Sequence, residues 1–305
     1  MEVVLKTNDL SKIYGKRLVL DKVNMTVERG DIYGFVGENG SGKTTIIRLV
    51  CGLARPSGGS VQLFGKDDTS PEILSARKKV GAVVETPSIY LNMSASENLQ
   101  MQCDILGVKD ENRVSEVLRT VGLGHLLGEK KKAGDFSLGM RQRLGIAMAL
   151  LGEPELIILD EPMNGLDPAG IVDIRELILH LNKQKNITFL VSSHILGELS
   201  LVATKYGIIS RGRLIKEISA TDLARECGKS LYLESDDNDR LFEVISNLYD
   251  GHIVREGNGV RVYGDVNLNE FLISVMEKCT LTTINNTRTG IEDYYLSIVG
   301  GGKNA

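Results

Sequence analysis

A chain of 305 residues with a formal net charge of −4 has room for one large α/β domain and a small one. Its acidity offers no nucleic-acid footprint, which normally shows as a basic domain. Its apolar runs are strand-length or amphipathic, so no segment is expected to span a bilayer, and Met1-Glu2-Val3-Val4-Leu5-Lys6 lacks the basic-then-apolar layout of a signal peptide. Cys51, Cys103, Cys227 and Cys279 are scattered, form no Cys-x-x-Cys pair, and suit reduced thiols in the cytoplasm.

In chain order, Tyr14 in Lys12-Ile13-Tyr14-Gly15 reads by itself as an ordinary strand tyrosine. The apolar stretch Ile32 to Val36 predicts a strand, Thr45 to Val50 favours a helix, and between them stands Gly37-Glu38-Asn39-Gly40-Ser41-Gly42-Lys43-Thr44. This is a complete nucleoside-triphosphate P-loop. A strand ending in glycines lets successive backbone N–H groups turn toward a phosphate, and the following helix adds the positive end of its dipole. Lys43 is placed to reach the β/γ-phosphates and the Thr44 hydroxyl to ligate Mg²⁺. A plain Gly-rich turn with a solvated Lys43 would not need Lys followed by Thr at this spacing.

Met93 to Leu127 is helix-rich, with Val114, Val117, Leu118 and Val121 at helical spacing, and Lys130-Lys131-Lys132 is most simply a solvated loop. Phe136-Ser137-Leu138-Gly139-Met140-Arg141-Gln142-Arg143 leads into the helix-forming run Leu144 to Leu151, so Ser137 and Gly139 at a helix start can offer hydroxyl and N–H donors to an anion. Leu156 to Leu159 runs into Asp160-Glu161-Pro162, the pattern of a buried central strand whose tip meets a ligand. Asp160 is placed to hold Mg²⁺ through water, and Glu161 to polarise an attacking water as general base. Ser192-Ser193-His194 follows the apolar strand Ile187 to Val191; a lone histidine there is more often structural.

Up to about residue 220 the alternation of strand-like and helix-like segments predicts a largely parallel sheet with an antiparallel flank. Beyond Gly228 the pattern changes. Ser230 to Glu234 reads as a strand, Leu241, Val244, Ile245 and Leu248 as one helix face, and His252 to Arg255 with Val260 to Tyr263 as a hairpin. Leu268, Phe271, Leu272, Val275 and Met276 mark a second helix and Leu281 to Ile284 a last strand. That order, β-α-β-β-α-β, is the split βαβ, ferredoxin-like order. Nothing in it has ligand spacing or a nucleophile–base pair, and its role is open.

With the P-loop, the Ser137 segment and the Asp160-Glu161 strand in this order, the chain resembles the ATPase subunit of an ATP-binding-cassette (ABC) transporter. The Ser137 segment is similar to the family's Leu-Ser-Gly-Gly-Gln signature: Ser137 and Gly139 are kept, Leu138 replaces the first Gly, and Arg141 stands near the usual Gln. The resemblance implies the following roles. Tyr14 stacks on adenine; Gly37, Glu38, Asn39, Gly40, Ser41, Gly42, Lys43, Thr44 and Thr45 bind the ATP phosphates; Thr44 and Asp160 serve Mg²⁺; Glu161 and His194 are catalytic. Asn164-Gly165-Leu166-Asp167 is similar to the loop that crosses between two protomers, and Ser137 and Gly139 would complete the other protomer's ATP site. Where most of the family carries a Gln sensing the γ-phosphate and Mg²⁺, this chain has Glu85 in Val83-Val84-Glu85-Thr86-Pro87. A carboxylate can still offer oxygen to the metal but adds negative charge and cannot donate a hydrogen bond. That substitution looks like the one in the bacitracin and lantibiotic immunity exporters.

The implied architecture is an ABC ATPase domain over residues 1–220, with a helical lobe that receives the membrane subunit's coupling helix, and a small accessory α+β domain over 221–305. Gly290-Ile291-Glu292-Asp293-Tyr294-Tyr295-Leu296 resembles the end of exporter-type subunits and is expected to be a docking helix. The implied partners are a second copy, sandwiching two ATP molecules head to tail, and a separate permease at the inner face of the cell membrane. The alternatives are a soluble ABC ATPase acting on ribosomes or DNA and a non-hydrolysing regulatory subunit. One cassette, no heptad insert and an acidic chain disfavour the first. Intact Lys43, Asp160, Glu161 and His194 disfavour the second.

Overall fold

The computed structural model describes residues 2–227, 230–264, 266–287 and 291–300. The chain divides into two compact units, Met1–Glu217 and Ile218 onward. In chain order the first unit holds β1 (Val3–Tyr14), β2 (Arg17–Val23), β3 (Thr26–Glu28), β4 (Ile32–Val36), α1 (Lys43–Val50), β5 (Gly58–Leu63), β6 (Lys66–Asp67), α2 (Ile73–Arg77) and β7 (Val80–Val83). It continues with α3 (Ala95–Leu106), α4 (Arg113–Thr120), α5 (Leu138–Leu150), β8 (Leu156–Asp160), α6 (Pro168–Lys185), β9 (Thr188–Ser193), α7 (Leu196–Leu199), β10 (Lys205–Ser210) and most of β11 (Arg213–Ser219), whose last residues fall past the boundary.

Two sheets form this unit. One has the order β11-β10-β4-β9-β8-β7, with β10, β4, β9, β8 and β7 paired in parallel. Every residue of β4, β8 and β9 is buried, as the unbroken apolar runs of a sheet covered on both faces require. The second sheet, β2-β1-β5-β6 with β3 also on β1, is antiparallel. Helix α1 is enclosed: Ile46, Ile47, Leu49 and Val50 are each at most 1% exposed and share one core with Leu5 and Val61 of the antiparallel sheet and Phe35, Ile158 and Leu190 of the parallel one. A helix apolar on more than one face belongs between two layers, and here that burial fixes the direction of its N-terminus.

The parallel register brings the carboxyl ends of β4, β8 and β9 level, with Val36 opposite Ser193 and Asp160 opposite Ser192. Ligands of open parallel sheets bind at this edge. Helices α3, α4 and α5 form the helical part. A capping box starts α3: the Glu97 amide donates to Ser94 Oγ at 3.2 Å and the Ser94 amide to Glu97 Oε2 at 2.6 Å. Asn98 of the same helix then clamps the preceding loop, accepting from the Tyr90 amide at 2.7 Å and donating to its carbonyl at 3.0 Å.

The second unit holds α8 (Ala220–Cys227), β12 (Ser230–Ser235), α9 (Asn238–Leu248), β13 (Ile253–Glu256), β14 (Gly259–Tyr263), α10 (Leu268–Met276), β15 (Leu281–Thr287) and α11 (Ile291–Gly300). Its sheet has the order β13-β14-β12-β15, all antiparallel, the arrangement of a split βαβ. Leu231, Leu233, Val260 and Val262 of the sheet pack with Leu241 and Ile245 of α9 and Phe271 and Val275 of α10. Leu248 and Met276, which spacing places on those apolar faces, are exposed because each is the last residue of its helix. In the closing segment Gly290 and the side chains of Ile291, Glu292 and Asp293 lie outside the described residues. Tyr294 and Tyr295 are buried, the ring of Tyr294 standing 5.4 Å from His252 and 5.8 Å from Tyr263.

Candidate nucleotide site

The chain leaves β4 through Gly37, whose amide donates to the Ser193 carbonyl at 3.3 Å. A Cβ at Gly37 would lie 2.5 Å from both the Ile209 carbonyl oxygen and Ser41 Oγ, so no larger residue fits. Gly42 caps α1 at φ 114°, a conformation glycine adopts without strain. The helical ladder of α1 begins with the Ile46 amide donating to the Gly42 carbonyl at 3.0 Å, so the amides of Lys43, Thr44 and Thr45 form its open positive end. Ser41 Oγ is buried with no hydrogen-bond partner among the described residues. An unbonded buried hydroxyl is costly, and an anionic oxygen seated in the loop would accept a hydrogen bond from it.

Lys43 is 6% exposed, and its ammonium donates to the carbonyls of Gly37 at 2.7 Å and Glu38 at 3.2 Å. It also stands 3.2 Å from Glu161 Oε1. Glu161 follows directly on β8 with φ 51°, a left-handed conformation that breaks the alternation of the strand and separates its side chain from that of the buried Asp160. The other Glu161 oxygen, Oε2, meets His194 Nδ1 at 2.7 Å. Sequence positions 43, 160, 161 and 194 thus converge at the ends of three neighbouring parallel strands.

Among the described residues no group of three or more His, Cys, Asp or Glu side chains could hold a metal ion. Thr44 and Asp160 nevertheless supply hard oxygen donors, and Mg²⁺ ordinarily binds one or two protein oxygens plus waters and substrate phosphates. The residues therefore fit Mg²⁺ carried jointly with a nucleotide.

The remaining candidates stand elsewhere. Tyr14 is exposed at the end of β1, with Lys12 Nζ 4.8 Å from its ring centroid. Ser137 caps α5, accepting from the Met140 amide at 3.2 Å, and a Cβ at Gly139 would touch Leu166. The signature segment therefore abuts the Asn164–Asp167 loop. Among the described residues neither Ser137 nor Gly139 has a hydrogen bond or ion pair to the Lys43–Glu161–His194 group. The Glu85 carboxylate, expected to offer oxygen to the metal, pairs with Arg48 of α1 at 2.5 Å, both side chains about half exposed.

Residue spacing did not reveal Arg48 as the partner of Glu85, nor the contact of Lys43 with Glu161, nor Ser192. The Ser192 hydroxyl donates to Asp160 Oδ1 at 2.6 Å and accepts from the Glu161 amide at 2.9 Å. The one available signal was a hydroxyl following the apolar Phe189-Leu190-Val191 run of a fully buried strand.

A family model described as ABC transporter matches residues 20–164. The chain is 41% identical over 310 residues to a bacitracin transport ATP-binding protein of Bacillus licheniformis, covering 99% of each. It is 41% identical over 214 residues to a lantibiotic transport ATP-binding protein of Streptococcus pyogenes, covering 70% of this chain and 90% of that protein. Among solved structures it is similar to an ATP-binding subunit of an ABC transporter, at 32% identity and a TM-score of 0.63 over 73% of this chain and 92% of that one. With a P-loop, an acidic strand end and a histidine gathered at one sheet edge, the chain belongs to the ATP-hydrolysing, ATP-binding subunits of ABC transporters.

Proposed function

We propose that this ATPase powers the export of a peptide antibiotic, or a similar amphiphile, through a separate membrane permease. Full-length similarity to a bacitracin transport subunit carries the substrate class. Residues 1–220 act as the ATPase domain, and 221–305 as an accessory domain whose role is open. In this reading the subunit works at the inner face of the cell membrane through the permease; no described helix is itself long and apolar enough to cross a membrane. A ribosome- or DNA-directed role finds no support in relatives that are transport proteins, nor in a chain of net charge −4.

In this reading the P-loop amides and Lys43 hold the phosphates, Thr44 and Asp160 take Mg²⁺, and Tyr14 stacks on the adenine. Mg²⁺, when bound, neutralises charge developing on the phosphates. Glu161 accepts a proton from the attacking water, and His194 holds Glu161 in position through its ring nitrogen. Lys43, which pairs with Glu161 in the structure, turns to phosphate when ATP is present, leaving the carboxylate free to act. Ser137 and Gly139, which among the described residues have no hydrogen bond or ion pair to this cluster, serve the ATP of a second copy, so two copies close head to tail. Loss of the γ-phosphate opens the pair and moves the permease.

The permease side is supported by an apolar surface around α3: Tyr90, Leu91, Ile105 and Leu106 are exposed, and Leu106 shares a cavity with Pro87, Gln102 and Gly145. Val84, Thr86 and Pro87, which flank Glu85, also line that cavity, so a membrane helix seated there would touch the loop that carries Glu85.

Cells sensitive to bacitracin and lantibiotics, given the permease with this chain, should survive higher peptide concentrations than cells given the permease alone. The Lys43→Ala chain should abolish the gain. Equal survival with and without the chain, for every peptide tested, would overturn the export reading.

A further inference from the structure

We infer that Ser192 is a positioning residue for the two acidic groups of the ATP site, aligning the Asp160 carboxylate and the Glu161 backbone through one hydroxyl. The inference rests on the proposed roles of Asp160 toward Mg²⁺ and of Glu161 as base.

Ser192 is the penultimate residue of β9, fully buried, with Phe35 of β4 as its register partner on one side and Asp160 of β8 on the other. The residues before it, Phe189, Leu190 and Val191, are apolar and buried, so a hydroxyl at this place costs free energy unless it is bonded. It is bonded twice, and the directions are fixed by chemistry. An amide N–H can only donate, so Ser192 Oγ accepts from Glu161 at 2.9 Å; its single proton is then available to Asp160 Oδ1 at 2.6 Å.

Two consequences follow. Asp160 Oδ1 is committed to the protein, which locks the carboxylate rotamer and leaves Oδ2 as the oxygen presented to a metal. The Glu161 amide is tied down at the residue where the backbone turns left-handed, φ 51°, so the turn that sends its side chain to Lys43 and His194 is held from below. His194 lies two residues after Ser192. A single strand end thus grips Glu161 at both backbone and side chain, and any shift of β9 against β8 moves the metal ligand and the base together.

Ser192→Thr and Ser192→Val have nearly the same shape and differ by the hydroxyl. Three quantities separate them: affinity for a fluorescent ATP analogue with and without Mg²⁺, the kcat and KM of ATP hydrolysis, and the melting temperature. Losing the partner of a metal-binding carboxylate typically weakens metal affinity or activity about 10–100-fold. Ser192→Val should therefore need roughly tenfold or more Mg²⁺ for the tightening of nucleotide binding, with a matching fall in kcat. Metal-free nucleotide affinity, which the P-loop supplies, should stay at the wild-type value, and Ser192→Thr should restore the Mg²⁺ response. Should the added methyl group lower the melting temperature of both variants, Ser192→Ala takes their place and must show the same Mg²⁺ shift. A folded Ser192→Val or Ser192→Ala protein with wild-type Mg²⁺ dependence overturns the inference. Asp160→Asn measured alongside separates the two levels: if it too leaves the Mg²⁺ response unchanged, the metal role of Asp160 falls and the inference with it.

Discussion

Replacing Glu161 by glutamine removes one negative charge and preserves size. Turnover should fall by about 10²–10⁴, the loss typical of a missing general base, equivalent to roughly 3–5 kcal/mol in the barrier. ATP binding should behave differently. Lys43 keeps its bonds to the Gly37 and Glu38 carbonyls, at 2.7 Å and 3.2 Å, but is released from the carboxylate oxygen 3.2 Å away. The ammonium no longer has to leave an ion pair to meet phosphate. Because Glu161 retains some solvent access, that release is worth about 1 kcal/mol, a tightening of roughly fivefold. Phosphate release under saturating Mg-ATP gives the first quantity and equilibrium titration with a fluorescent ATP analogue the second. Turnover within about threefold of the wild type would remove Glu161 from the role of base. A tenfold weakening of ATP binding would refute the competition between Glu161 and phosphate for Lys43.

Three further outcomes are expected. Ser137→Asp keeps a side-chain oxygen for the Met140 amide, so α5 remains capped, but adds a charge that should abolish the ATP-dependent dimer of the Glu161→Gln protein; a dimer by light scattering would refute the shared site. Glu85→Ala should lower peptide resistance while sparing ATP binding, and Glu85→Gln should retain more resistance. The lost pair with Arg48, being exposed, should change stability by less than about 1 kcal/mol, and unchanged resistance in Glu85→Ala cells at equal expression would place the sensor elsewhere in the Val84–Tyr90 loop. Arg113 is buried and donates to the carbonyls of Leu150 at 2.6 Å and Leu151 at 3.2 Å, so Arg113→Ala should cost about 2 kcal/mol in urea unfolding. Its exposed neighbour Glu153 should cost under about 0.5 kcal/mol when replaced by Ala.

The P-loop was legible in the sequence because its function lies in contiguous backbone: from Gly37 to Thr45 the strand end, the glycine turns and the helix start are adjacent in the chain, and local conformation is enough to build the phosphate cradle. The same holds for the buried strands, whose unbroken apolar runs require cover on both faces, and for the β-α-β-β-α-β order beyond residue 230. Tertiary structure alone decided how these pieces meet. The contact of His194 with Glu161 and the two hydrogen bonds of Ser192, to Asp160 and from Glu161, join residues more than thirty positions apart, and they exist because parallel pairing sets Asp160 opposite Ser192. A slip of one residue would turn the Ser192 hydroxyl to the other face of the sheet. Glu85 shows the same limit: the sequence marks it as a departure from its family, but its bond to Arg48 arises from the packing of α1 beside the loop after β7, which no local pattern encodes.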